Sequence, residues 1–245
     1  MFCSISDDPV LTSQERHAIN AGRWFSTLSP TLRHDILRHA RVVRHEDGER
    51  LLQCGDIPKV WIACAQGALQ MCATSSAGRP VIRDHVEPGQ WLGVLDLFDQ
   101  RPADHELCAR GDTTTLQVSR DALLQILMQH QELYLALLRL NDESTQRLLS
   151  RVDDLKTLGL RQRLAKQLLE WTQKYGMADA RGVRITLRLA QHELGQLLGA
   201  SRQRVNEQIK LLERQSTIRV DAGALVVCDA DALRRVSLED AALAA

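Results

Sequence analysis

At 245 residues the chain is long enough for two domains with cores of their own, and 44% apolar with 25% charged residues is an ordinary globular balance. Lysine plus arginine equals aspartate plus glutamate, 31 each, so bulk charge points to no nucleic-acid partner. No apolar run reaches bilayer-spanning length and no signal peptide opens the sequence, so a membrane partner is not expected and the predicted location is cytoplasmic.

Met1–Asn20 is polar, a loosely held segment or a short helix. Phe25 to Ala40 is helical in pattern: Ser29-Pro30 offers a cap with proline in the first turn, and Leu32, Ile36 and Leu37 recur at helical spacing. From Arg41 to Val118 short apolar runs alternate with turns such as Asp47-Gly48, Gln66-Gly67, Ala77-Gly78 and Glu87-Pro88-Gly89. That turn frequency predicts many short antiparallel strands, hence a barrel or sandwich. Ser119-Arg120-Asp121 opens a further helical run containing Leu123, Leu124, Ile126 and Leu127.

Gln131 to Leu158 is the longest helical pattern. Leu133, Leu137, Leu140, Ser144, Leu148, Val152 and Leu155 recur every three or four residues, with Leu138 and Leu149 broadening the stripe. Packing on its own domain would produce such a stripe, but its length favours a partner helix from a second copy. Gly159 breaks the run and is the expected hinge. Leu160–Tyr175 resumes as an amphipathic helix, with Leu164, Leu168, Leu169 and Trp171 inward. Arg184–Leu189 reads as a strand, and Arg219–Cys228 as a hairpin around Ala222-Gly223.

Between them, Glu193–Ile218 reads as two short helices joined by a tight turn. Leu194, Leu197 and Leu198 form the apolar stripe of the first. Gly199 suits the left-handed backbone of a helix end, and Ser201 is placed to cap the second helix. Val205, Ile209 and Leu212 form the second helix's buried face, leaving Arg202, Gln203, Asn206 and Lys210 on the other side. Arginine can bond guanine O6 and N7 together, and glutamine or asparagine can do the same to adenine. An ordinary helical hairpin with a solvated face has the same spacing. Charge distribution hints at a nucleic-acid partner: from Gly159 to Val220 there are twelve basic residues, Arg204 among them, against five acidic ones. Such asymmetry supplies the phosphate attraction that DNA binding needs.

In this order the segments resemble the Crp–Fnr superfamily of bacterial transcription regulators, over about Phe25 to Val227. The resemblance is strongest at ELGQLLGASRQRVNEQIKLLERQSTI and is supported by FSTLSPTLRHDILRHARVV, DGERLLQCGD and PGQWLGVLDLF. It implies an α+β chain: an N-terminal double-stranded β-helix (jelly-roll) barrel over 21–130, a long dimerisation helix over 131–158, and a C-terminal winged helix-turn-helix over 159–235. It further implies a homodimer on double-stranded DNA, its half-sites about one helical turn apart, with RNA polymerase as a further partner and no catalytic residues.

Carried over residue by residue, Arg202 matches the family arginine that bonds a guanine, and His192 and Ser201 match positions that touch phosphates. Gln203 stands where the family usually has a base-reading glutamate, and Glu207 where it usually has an arginine. Glu207 could accept from cytosine N4 or pair with Lys210 on the helix surface, the second being favoured.

The sensor domain departs further. Where cyclic-nucleotide-binding members carry Gly-Glu and Arg-Ser or Arg-Thr pairs, this chain has Gly93-Val94 and Asp104-His105, and Asp104 has the wrong sign for a phosphate. Leu148 and Leu149 stand in place of the hydroxyl residues that meet the purine. Cyclic AMP or cyclic GMP is therefore not expected, and a candidate effector pocket of Leu92, Val94, Leu148 and Leu149 could hold an apolar effector or haem, or be packed shut. His45, His85 and His105 keep a haem- or metal-binding gas or redox sensor open as an alternative, although a lone histidine in a strand or turn is usually just hydrogen-bonded. His85-Val86-Glu87-Pro88-Gly89 faintly resembles the metal-binding turn of cupin enzymes, but no further histidines follow at suitable spacing, so no metal ligand set is expected. The six cysteines, Cys3, Cys54, Cys64, Cys72, Cys108 and Cys228, are scattered and lack the pattern of oxygen-sensing members, which fits free thiols.

Overall fold

The computed structural model describes residues 10–75, 78, 80–187, 191–221 and 223–238. Cys3, Ala77, Arg188–Leu189 and Ala222 lie outside the described residues. The chain forms two compact units that divide between Thr145 and Gln146.

The first unit begins with α1 (Ser13–Ala21), where Thr12 and Glu15 make a reciprocal capping box. After a short 3-10 turn comes α2 (Pro30–His39), capped by the Ser29 hydroxyl with Pro30 in its first turn, as its sequence requires. The strands β1 (Ala40–His45), β2 (Arg50–Leu52), β3 (Val60–Thr74), β4 (Pro80–Val86) and β5 (Glu106–Ser119) build one sheet. Its order is β1-β5-β3-β4, with β2 also on β5, and every pairing is antiparallel. A short helix, α3 (Leu95–Asp99), interrupts the strands. After β5, Ser119 caps α4 (Arg120–Gln129), and α5 (Glu132–Thr157) follows.

Strand alternation sorts β3 onto two cores. Trp61, Ala63 and Ala65 pack under the helices, while Ile62 and Cys64 turn to the opposite face with Leu69, Val86 and Leu107. The helical side is aromatic: Trp61 and Trp91 rings lie 4.2 Å apart, and Trp24 meets Trp61 edge-on at 5.5 Å. Trp24 Nε1 donates to the Ala136 carbonyl at 2.6 Å, which fixes the first turns of α5 to this core.

That attachment corrects the reading of the long helix. Leu133, Leu137 and Leu140 are buried in the first unit's own core, so they cannot line an interface with a second copy. The exposed apolar side chains of this part of α5 are Tyr134, Leu135 and Leu138. Ser144 Oγ bonds back to the Leu140 carbonyl at 3.0 Å. Farther along, Leu148, Leu149, Val152 and Leu155 are all exposed.

The second unit contains the end of α5, then α6 (Leu160–Tyr175), β6 (Gly176–Asp179), β7 (Gly182–Ile185), α7 (Gln191–Leu197), α8 (Arg202–Arg214), β8 (Ile218–Asp221), β9 (Ala224–Val227) and α9 (Ala230–Leu238). Its four strands run in the order β6-β7-β9-β8. The hairpin of β8 and β9 forms where the sequence reading put it, but the strand expected over Arg184–Leu189 is shorter and starts earlier, as β7. Gly159 sits at the N-cap of α6 in extended backbone, its N–H bonded to Gln162 Oε1 at 2.8 Å. The ion pair Lys166–Asp154 at 2.5 Å and the bond from Arg163 to the Leu158 carbonyl at 2.8 Å brace the turn from both sides. The division between the units falls inside α5, upstream of this turn. No helix among the described residues is long and apolar enough to cross a membrane.

Candidate nucleic-acid interface and effector cavity

The helix pair α7–α8 is held by a turn that only small residues permit. A Cβ on Gly195 would stand 2.8 Å from the Ala200 carbonyl oxygen, so the two helices close on a position without a side chain. Gly199 has φ +63, the left-handed conformation that ends α7 at little steric cost. Ser201 follows in extended backbone and its hydroxyl accepts from the Arg204 N–H at 3.3 Å, starting α8. Leu194, Leu198, Val205, Ile209 and Leu212 are buried together in this unit.

Burying that stripe turns the rest of α8 outward. Ser201, Arg202, Gln203, Arg204, Glu207 and Lys210 are all exposed, Asn206 is half-buried, and His192 on α7 is exposed. Gln203 Nε2 donates to Glu207 Oε1 at 3.2 Å, so Glu207's partner is Gln203 and not Lys210 as the sequence reading favoured. Burial, then the nearby Arg204 guanidinium, lower the pKa of Arg163 despite the opposing pull of Asp154.

The basic excess is smaller than a residue count implies. Arg184 bonds both Asp179 and Asp221, and Arg219 lies 3.4 Å from Asp221 and 3.6 Å from Asp179. These arginines knit the second unit's sheet together. Hydrogen bonds from the Arg181 backbone and from Arg184 hold the Asp179 carboxyl below its ordinary pKa.

In the first unit the face of β3 that carries Ile62 borders a cavity of about 750 Å³. Segment Gln90–Leu92 bonds along the start of β3, with Leu92 N–H donating to the Ile62 carbonyl at 2.9 Å, and its successive residues turn to opposite faces. Trp91 enters the aromatic core and Leu92 lines the cavity. The candidate pocket is corrected accordingly. Val94 is buried in the helical core with Leu97, Leu148 and Leu149 are exposed on α5, and of the four expected residues Leu92 alone is among the lining. Leu52, Ile62, Met71 and Leu107 supply the apolar wall that the sequence reading missed. Its signal was the alternation Trp-Ile-Ala-Cys-Ala at Trp61–Ala65, which gives one face to each core.

Of the polar groups near this cavity, Asp104 and His105 are already engaged. Asp104 pairs with Arg83 at 2.7 Å and with His105 at 3.1 Å, bonds that hold its carboxyl below the ordinary range. The other two histidines lie elsewhere: His45 bonds Glu49 at 2.8 Å and Thr115 at 3.0 Å, and His85 bonds Gln70 at 3.3 Å. Among the described residues no cluster of three or more His, Cys, Asp or Glu could hold a metal ion. The described cysteines are free thiols, and burial pushes the Cys64 thiol far above its ordinary pKa.

Comparison with known proteins matches both units. Residues 42–130 fit the family model of the cyclic nucleotide-binding domain, and residues 162–236 that of the Crp-like helix-turn-helix domain. The CRP-like cAMP-activated global transcriptional regulator of Mycobacterium tuberculosis is 27% identical over 169 residues, 69% of this chain and 75% of that protein. The cAMP-activated global transcriptional regulator Vfr of Pseudomonas aeruginosa is 24% identical over 208 residues, 82% of this chain and 96% of its own length. Among solved structures, FixK2 of Bradyrhizobium japonicum shares the fold with a TM-score of 0.71 at 18% identity, covering 82% of this chain and 99% of that one. CLP of Xanthomonas campestris, described as a c-di-GMP responsive global regulator, gives 0.66 at 18% identity, covering 81% and 99%. With a cyclic nucleotide-binding-like sheet domain ahead of a Crp-like helix-turn-helix, the chain belongs to the Crp–Fnr superfamily of bacterial transcription regulators.

Proposed function

We propose that this chain is a homodimeric, sequence-specific DNA-binding regulator whose first unit takes an effector other than a cyclic nucleotide. The observation that carries the DNA reading is the open face of α8. Arg202, Gln203, Arg204 and Lys210 project to solvent because Val205, Ile209 and Leu212 anchor the opposite side. Arg202 is the guanine reader, Ser201 and His192 contact phosphates, and the hairpin of β8 and β9 lies beside the duplex as a wing. The protein works by binding and has no catalytic step; RNA polymerase is its expected partner at promoters.

Self-pairing is supported by the exposed apolar residues Tyr134, Leu138, Leu149 and Val152, which recur on α5 at helical spacing. Two copies related by a two-fold axis would meet a palindrome with half-sites about 34 Å apart.

The effector reading rests on charge. The relatives from M. tuberculosis and P. aeruginosa are cAMP-activated and CLP is c-di-GMP responsive, so proteins of this fold differ in effector. Here the cavity lining includes no arginine, and Asp104 occupies the position where the resemblance expects the phosphate-binding cation. The Asp104 carboxylate, held ionised by Arg83 and His105, offers an anionic phosphate no cation.

Selection of bound fragments from random duplex DNA by the full-length protein tests the central reading. Recovery of a palindromic motif with half-sites one helical turn apart supports it; recovery of unenriched sequence overturns it.

A further inference from the structure

We propose that the cavity of the first unit binds an uncharged aliphatic ligand that carries a hydroxyl group. This deepens the effector reading above and rests on it. The volume of about 750 Å³ lies within the ~300–1,000 Å³ typical of small-molecule sites. Its wall is built from Leu52, Ile62, Met71, Leu92 and Leu107, and the lining contains no phenylalanine, tyrosine or tryptophan. The tryptophans Trp24, Trp61 and Trp91 are all committed to the opposite face of the sheet, and the one ring in the lining, the His105 imidazole, is bonded to Asp104, which leaves no large aromatic face for a planar base to stack on. Two more apolar lining residues, Ile57 and Leu95, are 49% and 60% exposed. A chain of methylenes would take this apolar surface out of water.

Charge sets the head group. The lining carries Asp56 and Asp96 against Lys59, with His105 already paired to Asp104, and Asp56 and Lys59 are both exposed. An anion gains little from such a set. Asn141 supplies the polar contact. Its side-chain nitrogen donates to the Leu137 carbonyl at 3.0 Å, and its Oδ1 lies beside Gly93, where it can accept from a ligand hydroxyl. A neutral acceptor beside an aliphatic wall selects a molecule with a donor and a hydrocarbon body.

The test is calorimetric titration of the full-length protein, without DNA, with 1-hexanol, 1-octanol, 1-decanol, octanoate and cyclic AMP. Affinity is expected to rise about fourfold per added methylene, the factor that ~0.8 kcal/mol per buried CH₂ represents. Octanoate is expected to bind about tenfold more weakly than 1-octanol, and cyclic AMP not at all. Ile62→Trp fills the cavity from its floor and should abolish 1-octanol binding. Should that variant fail to fold, Leu92→Trp at the cavity wall carries the same expectation. Binding that ignores chain length, octanoate as tight as 1-octanol, or unchanged affinity in the folded tryptophan variant would overturn the proposal. Cyclic AMP binding would overturn the effector reading with it, whereas absence of binding by alcohols and cyclic AMP alike overturns this inference alone.

Discussion

Gln203 and Glu207 are joined on the open face of α8, the glutamine amide donating to the carboxylate at 3.2 Å. The bond links two positions at which this chain departs from the usual family residues. In the proposed DNA complex it would hold the glutamine amide away from a base edge and set a negative charge over the groove. Glu207→Ala should release Gln203 to bond adenine and change the preferred base at one position of each half-site. A shift of about 1–3 kcal/mol in base preference there is the expected size, read by competition between duplexes that differ at one pair.

Arg202 and Arg204 are both exposed at the start of α8 but have different expected roles. Arg202→Ala should cost about 1–3 kcal/mol of discrimination between the selected site and a scrambled one. Arg204→Ala should weaken both sites alike and reduce the slope of log affinity against log salt by about one. Equal discrimination by wild type and Arg202→Ala would show that α8 docks in another orientation.

Ser201 caps α8 and, in the proposed complex, would also contact a phosphate. Its hydroxyl caps α8, so Ser201→Ala should lower stability by about 1 kcal/mol. Ser201→Asp keeps a cap acceptor but sets a carboxylate where a phosphate is expected. Thermal stability should therefore be retained while DNA affinity falls, a separation that melting and electrophoretic binding curves would reveal.

Capping, turn chemistry and helix length are legible in the sequence alone, because they depend on neighbours in sequence. Ser29, Ser119 and Ser201 cap the helices that their spacing predicts. What failed was the choice among long-range partners. The stripe Leu133–Leu137–Leu140 has the spacing of a coiled coil, yet spacing alone does not distinguish a chain's own core from a second copy, and Trp24 claims the helix from over a hundred residues away. Basic residues between Gly159 and Val220 suggested a large positive surface; Arg184 and Arg219 instead face Asp179 and Asp221 across the sheet. The cavity wall was missed for a related reason: whether a strand residue faces cavity or helix depends on register, which the bulges in β3 shift.

Glu15 makes the first unit sensitive to acid. Burial pushes its pKa up, but hydrogen bonds from Thr114, the Thr12 N–H and Arg44 outweigh it and leave the carboxyl below its ordinary value. A depressed folded-state pKa stabilises the protein above the ordinary value of 4.5, and that contribution is lost as pH falls through the lower folded value. Urea midpoints of wild type and Glu15→Gln should therefore differ at pH 7 and converge toward pH 3. A constant difference across that range would show that the carboxyl's charge contributes nothing.

The two faces of α5 predict opposite phenotypes. Leu137 is 5% exposed in the first unit's core, and Leu137→Ala should destabilise that unit by about 2–5 kcal/mol. Val152 is 43% exposed, and Val152→Glu leaves no cavity in any core. In the homodimer proposed above, however, it would put two carboxylates opposite each other at the apolar seam. It should halve the mass measured by light scattering and weaken binding to a full palindrome far more than to a half-site, while the first unit's melting temperature stays within a few degrees. If Val152→Glu keeps the dimeric mass, the seam lies elsewhere on α5, and the pairing of half-sites must be drawn from another surface.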